Sequence, residues 1–329
     1  MPVRRELIWP HNLTIMRAIP YVLLVPLALM TLFTQCEKEP RINIPDNSFL
    51  NALIEQGVDK NGDGNISPSE AEEITSIYVF GYGISDLTGI EAFVNLDTLN
   101  CDNNRLTALD VSYNAGLKYL GCAQNQLAAL DVSINSLLEE LDCTANHLTT
   151  LDVSYNTGLK YLACIGNQLT TLDVSNNTAL IGLVCSSNPL TKLDVSKNTE
   201  LIVLWCSRTQ LITLDVSNNS ALIDLVCDNN QITSLDISNN AGLRSLDCAF
   251  NQLTSLDISN NTELEDLWCL TNQLTSLDIS SNEAIHTLWI NNMPTLEEVC
   301  VWTIPFPPDG VDVDTTGSPN VYFTTECSK

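Results

Sequence analysis

Asp59, Asn61 and Asp63 place side-chain oxygens at alternate positions, and Asn65, Ser67 and Glu70 follow in the same short run. Oxygen donors at positions 1, 3, 5, 7, 9 and 12 of a twelve-residue loop, with Gly64 at position 6 for the sharp turn, suit a calcium ion. Asn65 would offer its backbone carbonyl, Ser67 would hold a water, and Glu70 would close the sphere with both carboxylate oxygens. The competing reading is a polar turn with no ion. Twelve Cys form a second set; nine recur every 21 residues from Cys101 to Cys269, and nine Asp keep the same period from Asp110 to Asp278. Only three His occur, His11, His147 and His286, which leaves little for acid–base or zinc chemistry. The Ser two residues after each ladder Asp has no neighbouring base. Paired carboxylates recur only as the repeat does, so they carry no glycosidase signal. No enzyme constellation emerges.

The loop needs helices to hold it. Phe49, Leu50, Leu53 and Ile54 fall on one face of an expected helix from Asp46 to Gln56, and Glu70 to Ile74 would begin the exit helix. Ile66, at loop position 8, should pack inward. The segment 46–73 resembles an EF-hand, and the resemblance implies calcium as cofactor. A lone loop fits a structural staple at one end of a longer fold better than a sensor.

The Cys and Asp periods belong to nine copies of LxxLxCxxNxLxxLDVSxN filling residues 96–284, with Ile for Val in the last three. Thr209 interrupts the first Asn column. A less regular unit covers 74–95 and a degenerate one 285–304. Period-2 alternation turns Leu99 and Cys101 inward and Asn100 and Asp102 outward; Leu109 and Val111 point in again, Asp110 and Ser112 out. Inward Cys acts as a small hydrophobe. The columns led by Asn104 and Asn114 should turn in and hydrogen-bond loop backbone. For the Asp column, hydrogen bonds with the Ser two residues on compete with a cation-binding edge.

LxxLxCxxNxL resembles the leucine-rich-repeat signature, with Cys in its third apolar place. More narrowly the chain is similar to bacterial 21-residue nested repeats, internalin-like in a broad sense, and to secreted repeat lipoproteins of Bacteroidetes-type bacteria. The resemblance implies a β-rich solenoid over 74–304, with parallel strands stacked on one or both sides and a small helical N-terminal cap. Residues 305–329 would cap the other end. Cys300 and Cys327 lie outside the column and are placed to form a disulfide, which the sequence leaves open.

Residues 1–35 read as a leader, with Arg17 before the apolar run Ala18 to Thr34 and Met16 as an alternative start. Phe33-Thr34-Gln35-Cys36 resembles a bacterial lipoprotein signal, which implies lipidation at Cys36, a linker over 36–45, and membrane contact through the lipid. A retained N-terminal anchor is the other reading. Both put the chain outside the cytoplasm; the resemblance implies the outer membrane and the cell surface.

The balance of 14 Lys+Arg against 40 Asp+Glu, net −26, excludes a nucleic-acid reader. Hydrophobic content of 44% excludes a disordered acidic chain. The outward side of the first strand carries Tyr119, Tyr161, Val184, Trp205, Val226, Trp268 and Trp289. Apolar side chains at solvent-facing positions mark a binding surface. The reading is a monomeric, non-catalytic envelope lipoprotein that binds a protein or peptide or adheres. Glycan capture on a Trp platform and a purely structural spacer are the alternatives.

Overall fold

The computed structural model describes residues 40–327. The chain divides into Met1–Lys38 and Glu39–Lys329. The first unit, with the leader, Met16 and Cys36, lies outside the described residues, and so do Ser328 and Lys329.

Each 21-residue coil contributes one three-residue strand, beginning with Ser76–Tyr78, Thr98–Asn100 and Tyr119–Gly121. The middle residue of each is aliphatic and, but for the partly buried Val313 of the last, buried, so Leu99 lies over Leu120 and Leu120 over Leu141 in strict parallel register. Twelve such strands form one sheet, ending at Asp312–Asp314. Cys101 extends the ladder one residue further, donating its N–H to Gly121 O at 2.7 Å. The nine column Cys are fully buried and unbridged, in line with the inward alternation.

After each strand the chain turns through a left-handed residue: Asn103, Gln124, Ala145, Gly166, Ser187, Arg208, Asn229, Phe250, Thr271 and Asn292. Non-glycine residues resist this conformation. The following Asn holds it in place. Asn125 Nδ2 donates to Cys101 O of the preceding coil and Cys122 O of its own, while its Oδ1 accepts Leu106 N–H. Every member therefore ties two coils together. Thr209 donates to Cys206 O but supplies nothing to Leu190 N–H, which bonds to Asn188 O instead. The second Asn column works through its Nδ2: Asn135 donates to Val111 O and Asn114 O.

That second column shapes the opposite side of the coil. Val111 is buried as expected, but its carbonyl is taken by Asn114 N–H and Asn135 Nδ2. The extended stretch on this side joins a sheet only where the column ends at Asn282. There Ser276–Asp278, Glu298–Cys300 and Tyr322–Thr324 pair in parallel. The expected C-terminal cap, 305–329, adds a terminal strand to each sheet. Trp302, Phe306 and Phe323 stack behind them, with ring centroids 5.2 and 4.8 Å apart. Cys300 and Cys327 are joined there in a disulfide, their Cα atoms 5.5 Å apart.

At the N-terminal end, helix α1 (Asn47–Glu55) is capped by Asp46, which accepts from Ser48 and Phe49 N–H. The other Asp46 oxygen accepts from Ser85 N–H and Oγ, fastening the helix to the first coil. Phe49, Ala52 and Leu53 enter the solenoid core. Gly89 is needed where this cap crosses: its φ is +105°, and a Cβ there would lie 2.7 Å from Ile44 Cγ1. Among the described residues no helix is long and apolar enough to cross a membrane.

Candidate binding face and calcium loop

The loop residues are ordered by their own side chains. Asp59 accepts N–H bonds from Gly62, Asp63 and Gly64; Asn61 accepts from Asp63, and Asp63 from Asn65. Gly62 and Gly64 have positive φ, as the curl requires. Helix α2 (Pro68–Glu72) starts two residues before the expected Glu70, because Ser67 caps it and Pro68 suits its first position. Ser67 and Glu70 form a capping box. Glu70 also accepts Lys60 and Asn61 N–H through Oε1. Burial raises its pKa, but the bonds from Ser67, Asn61 and Lys60 together outweigh that and hold it below the ordinary value.

The donor set of Asp59, Asn61, Asp63, Asn65, Ser67 and Glu70 is all oxygen, and the loop is curled around Asp59, so its chemistry fits calcium. Its carboxylates are nonetheless turned onto backbone N–H groups. Among the described residues, the cluster of three acidic or thiol groups within 4.8 Å of one another is Asp278, Cys300 and Cys327, two of them in the disulfide. Ile66 is buried, and its carbonyl accepts Ile42 N–H at 2.8 Å. The segment before the helix is thus tied to the loop.

On the far side of the coil, each ladder Asp closes a turn with the Ser two residues on in its own coil. Asp110 Oδ1 accepts Ser112 N–H at 2.9 Å, and the same bond recurs down to Asp278 and Ser280. Side-chain and backbone hydrogen bonds from Ser112 hold Asp110 below the usual carboxylate range.

The outward face of the main sheet brings the proposed ligand-face residues into adjoining columns by the strand register. Tyr119 and Tyr161 are half-buried; Tyr119 passes close over Gly121 of its own strand, and Tyr161 over Gly182 of the next coil. A Cβ on Gly121 would lie 3.0 Å from the Tyr119 hydroxyl, and one on Gly182 would lie 3.0 Å from Tyr161 Cδ1. Trp205 is half-buried and donates Nε1–H to Asp224 Oδ2 at 2.9 Å. Trp268 and Trp289 meet edge to face, 6.4 Å apart. Val226 is half-buried beside Trp205. Val184 departs from expectation: it is only 3% exposed, enclosed between the strands of Tyr161 and Trp205, and offers a ligand no surface.

The register also places two residues on this face that the repeat pattern did not select. Tyr78 aligns with Asn100, and Phe80, two residues on, falls in the adjoining column level with Asp102; they are 57% and 58% exposed. The alternation Ile77-Tyr78-Val79-Phe80 carries that signal, but the irregular spacing of 74–95 hides it.

Acidic residues lie between the aromatics. Burial pushes Asp247 up to about 7, with repulsion from Asp228 and Asp224 added and the bond from Ala249 N–H opposing. Burial likewise raises Asp102 to about 6, against a bond from Ala123 N–H and with repulsion from Asp142. Asp142 is raised by its burial. The face therefore holds negative charge at some cost.

No protein-family model and no curated protein sequence matches the chain. Solved structures do. The functional domain of InlJ from Listeria monocytogenes, which includes a cysteine ladder, is 36% identical over 86% of this chain, with a TM-score of 0.78. The chain spans 63% of the length of that domain. The internalin inlF of Listeria monocytogenes str. 4b F2365 is 19% identical, covering 87% of this chain and 96% of its own, with a TM-score of 0.64. The plant peptide hormone receptor RGFR1, solved in complex with RGF2, is 22% identical over 64% of this chain and 40% of its own, with a TM-score of 0.53. The chain carries the leucine-rich-repeat fold, with 21-residue coils of its own and, like the InlJ domain, a cysteine ladder.

Proposed function

We propose that this chain is a non-catalytic cell-envelope lipoprotein that uses the outward face of its main sheet to bind a protein or peptide ligand. The observation that carries this reading is the run of half-buried aromatics, Tyr119, Tyr161, Trp205, Trp268 and Trp289, on one continuous sheet face. Large amphipathic side chains held rigidly at such positions make good binding anchors. The fold shared with a receptor solved with RGF2 is consistent with polypeptide as the ligand class. Cys36 would carry the lipid and hold the solenoid at the outer membrane, facing outward. The loop from Asp59 to Glu70 would bind calcium and brace the N-terminal end.

The reading is tested by capture of envelope and host proteins, with a glycan array in parallel, using wild type and a Trp205→Ala, Trp268→Ala, Trp289→Ala triple variant. Capture of a protein by wild type alone is the expected result. Equal capture by both proteins, or capture of glycans only, would overturn it.

A further inference from the structure

On the far side of the coil, the turn that follows each ladder Asp carries a column of its own. It reads Tyr113, Ile134 and Tyr155 over three successive coils, then polar residues only, from Asn176 and Lys197 to Ser281. At this position Asn serves the structure. Asn176, Asn239 and Asn260 each donate from Nδ2 to the carbonyl of a Ser in the preceding coil, at 3.4, 3.1 and 3.4 Å. The first three regular coils give up that tie and expose large side chains in its place: 65% at Tyr113, 54% at Ile134 and 61% at Tyr155. Leu137, 56% exposed, widens the strip. Core packing asks for none of the four, and grouped exposed apolar side chains mark a binding surface.

Ile134 and Tyr155 border an open groove of about 580 Å³, whose lining also includes Ala129, Asp131, Ser133, Thr150 and Asp152. Hydrogen bonds from Ser133 and Ser154 hold Asp131 and Asp152 below the usual carboxylate range, so both are ionised at neutral pH. Charged acceptors thus run alongside an apolar strip. That pairing fits a sugar chain, whose rings have an apolar C–H face and a rim of hydroxyl donors. The negative charge excludes uronate and sulfated chains.

Spacing narrows the class. Tyr113 and Tyr155 are 42 residues, or two coils, apart. Beside them Asn135 Nδ2 bonds Asn114 O at 2.9 Å and Asn156 Nδ2 bonds Asn135 O at 2.8 Å, which holds adjoining coils in register at this turn. At roughly 4.8 Å per coil the two Tyr lie about 10 Å apart. In an extended β-1,4-linked chain each ring is turned over relative to the last, so alternate rings offer the same face at about that interval. We propose that this turn binds a neutral β-1,4-linked glycan laid along the solenoid axis, with alternate sugar rings stacked on Tyr113 and Tyr155. The intervening ring passes over Ile134, and hydroxyls at the ring edges donate to Asp131 and Asp152. The site is separate from the aromatic sheet face, so glycan and polypeptide can be held at the same time.

The test is isothermal titration with cellohexaose, chitohexaose and mannohexaose, against β-1,3-linked laminarihexaose and an oligogalacturonate. The variants are Tyr113→Ala, Tyr155→Ala, and a register variant, Tyr155→Asn with Asn176→Tyr, which keeps two Tyr but sets them three coils apart. The changed positions are all exposed, and thermal melts check that each variant is folded. At least one β-1,4 hexaose is expected to bind wild type, and its disaccharide to bind at least about tenfold more weakly, since it reaches one Tyr only. Each single variant and the register variant should lose at least about tenfold. The Trp205→Ala, Trp268→Ala, Trp289→Ala variant should keep wild-type affinity, and laminarihexaose and oligogalacturonate should not bind. Absence of binding by all three β-1,4 hexaoses, undiminished affinity in the register variant, or a loss confined to the Trp variant would overturn the proposal. With no hexaose bound, dimerisation of wild type that Tyr155→Ala abolishes would assign the strip to a second copy of the chain instead.

Discussion

Asp247 shows how burial and like charge set the behaviour of one side chain. Its folded pKa, about 7, lies above the ordinary value of 3.8. Between those limits the folded state holds the proton and the unfolded state does not, so stability falls as pH rises through the window. Asp247→Asn is expected to raise Tm by about 2–4 °C at pH 8. The gain should shrink to nothing by pH 4, where the folded carboxyl is already neutral. Thermal melts across that range check this, and a gain independent of pH would remove charge as its cause. Burial shifts the column Cys in the same direction. Burial pushes Cys185 and Cys269 up to about 12, so these thiols stay protonated and covered. A thiol reagent should label none of the nine column Cys in the native protein and all nine in denaturant; rapid native labelling would contradict their inward placement. That placement was legible from alternation alone. For the Asp column the sequence named Ser as the partner, while the recurring donor is the Ser backbone N–H, which side-chain pattern does not reveal.

At the scale of elements, coil-to-coil adhesion depends on the Asn columns, and Thr209 is the place to measure it. Thr209→Asn would give Cys185 O a second donor beside Asn188 Nδ2 and offer Leu190 N–H a side-chain acceptor in place of Asn188 O, as Asn125 does for Cys101 and Leu106. The expected gain is about 1 kcal/mol in urea unfolding; no gain would mean that the ladder adds little beyond core packing. Periodicity exposed this column and its one break. It did not expose that the far side pairs as a sheet only beyond Asn282, because that depends on which carbonyls the Asn side chains occupy. The exit helix was misplaced by two residues for a similar reason: Ser67 and Glu70 serve both as loop positions and as a capping box, and the cap decides the boundary. If calcium binds this loop, it should raise Tm with a saturable one-site dependence. An Asp59→Ala, Glu70→Ala variant starts lower, having lost the cap, and should show no calcium increment. An undiminished increment would move the effect to the Asp ladder.

For the molecule as a whole, one hydrophobic core runs from Phe49 of the N-terminal helix to Phe323 beside the last strand. The solenoid and its register were readable from nine regular repeats. The first coil was not, because it departs from the period, and Tyr78 and Phe80 join the outward face through it; Val184 lies in a regular coil, yet it is enclosed where spacing alone made it outward. The central claim is that this outward face binds polypeptide. Its most direct measurement is the affinity of display-selected peptides for wild type and for the Trp205→Ala, Trp268→Ala, Trp289→Ala variant, both shown folded by melts. Removing three central aromatic anchors, at about 2 kcal/mol for each such hot spot, predicts a loss of at least about 100-fold. Affinities within threefold of each other would contradict the account.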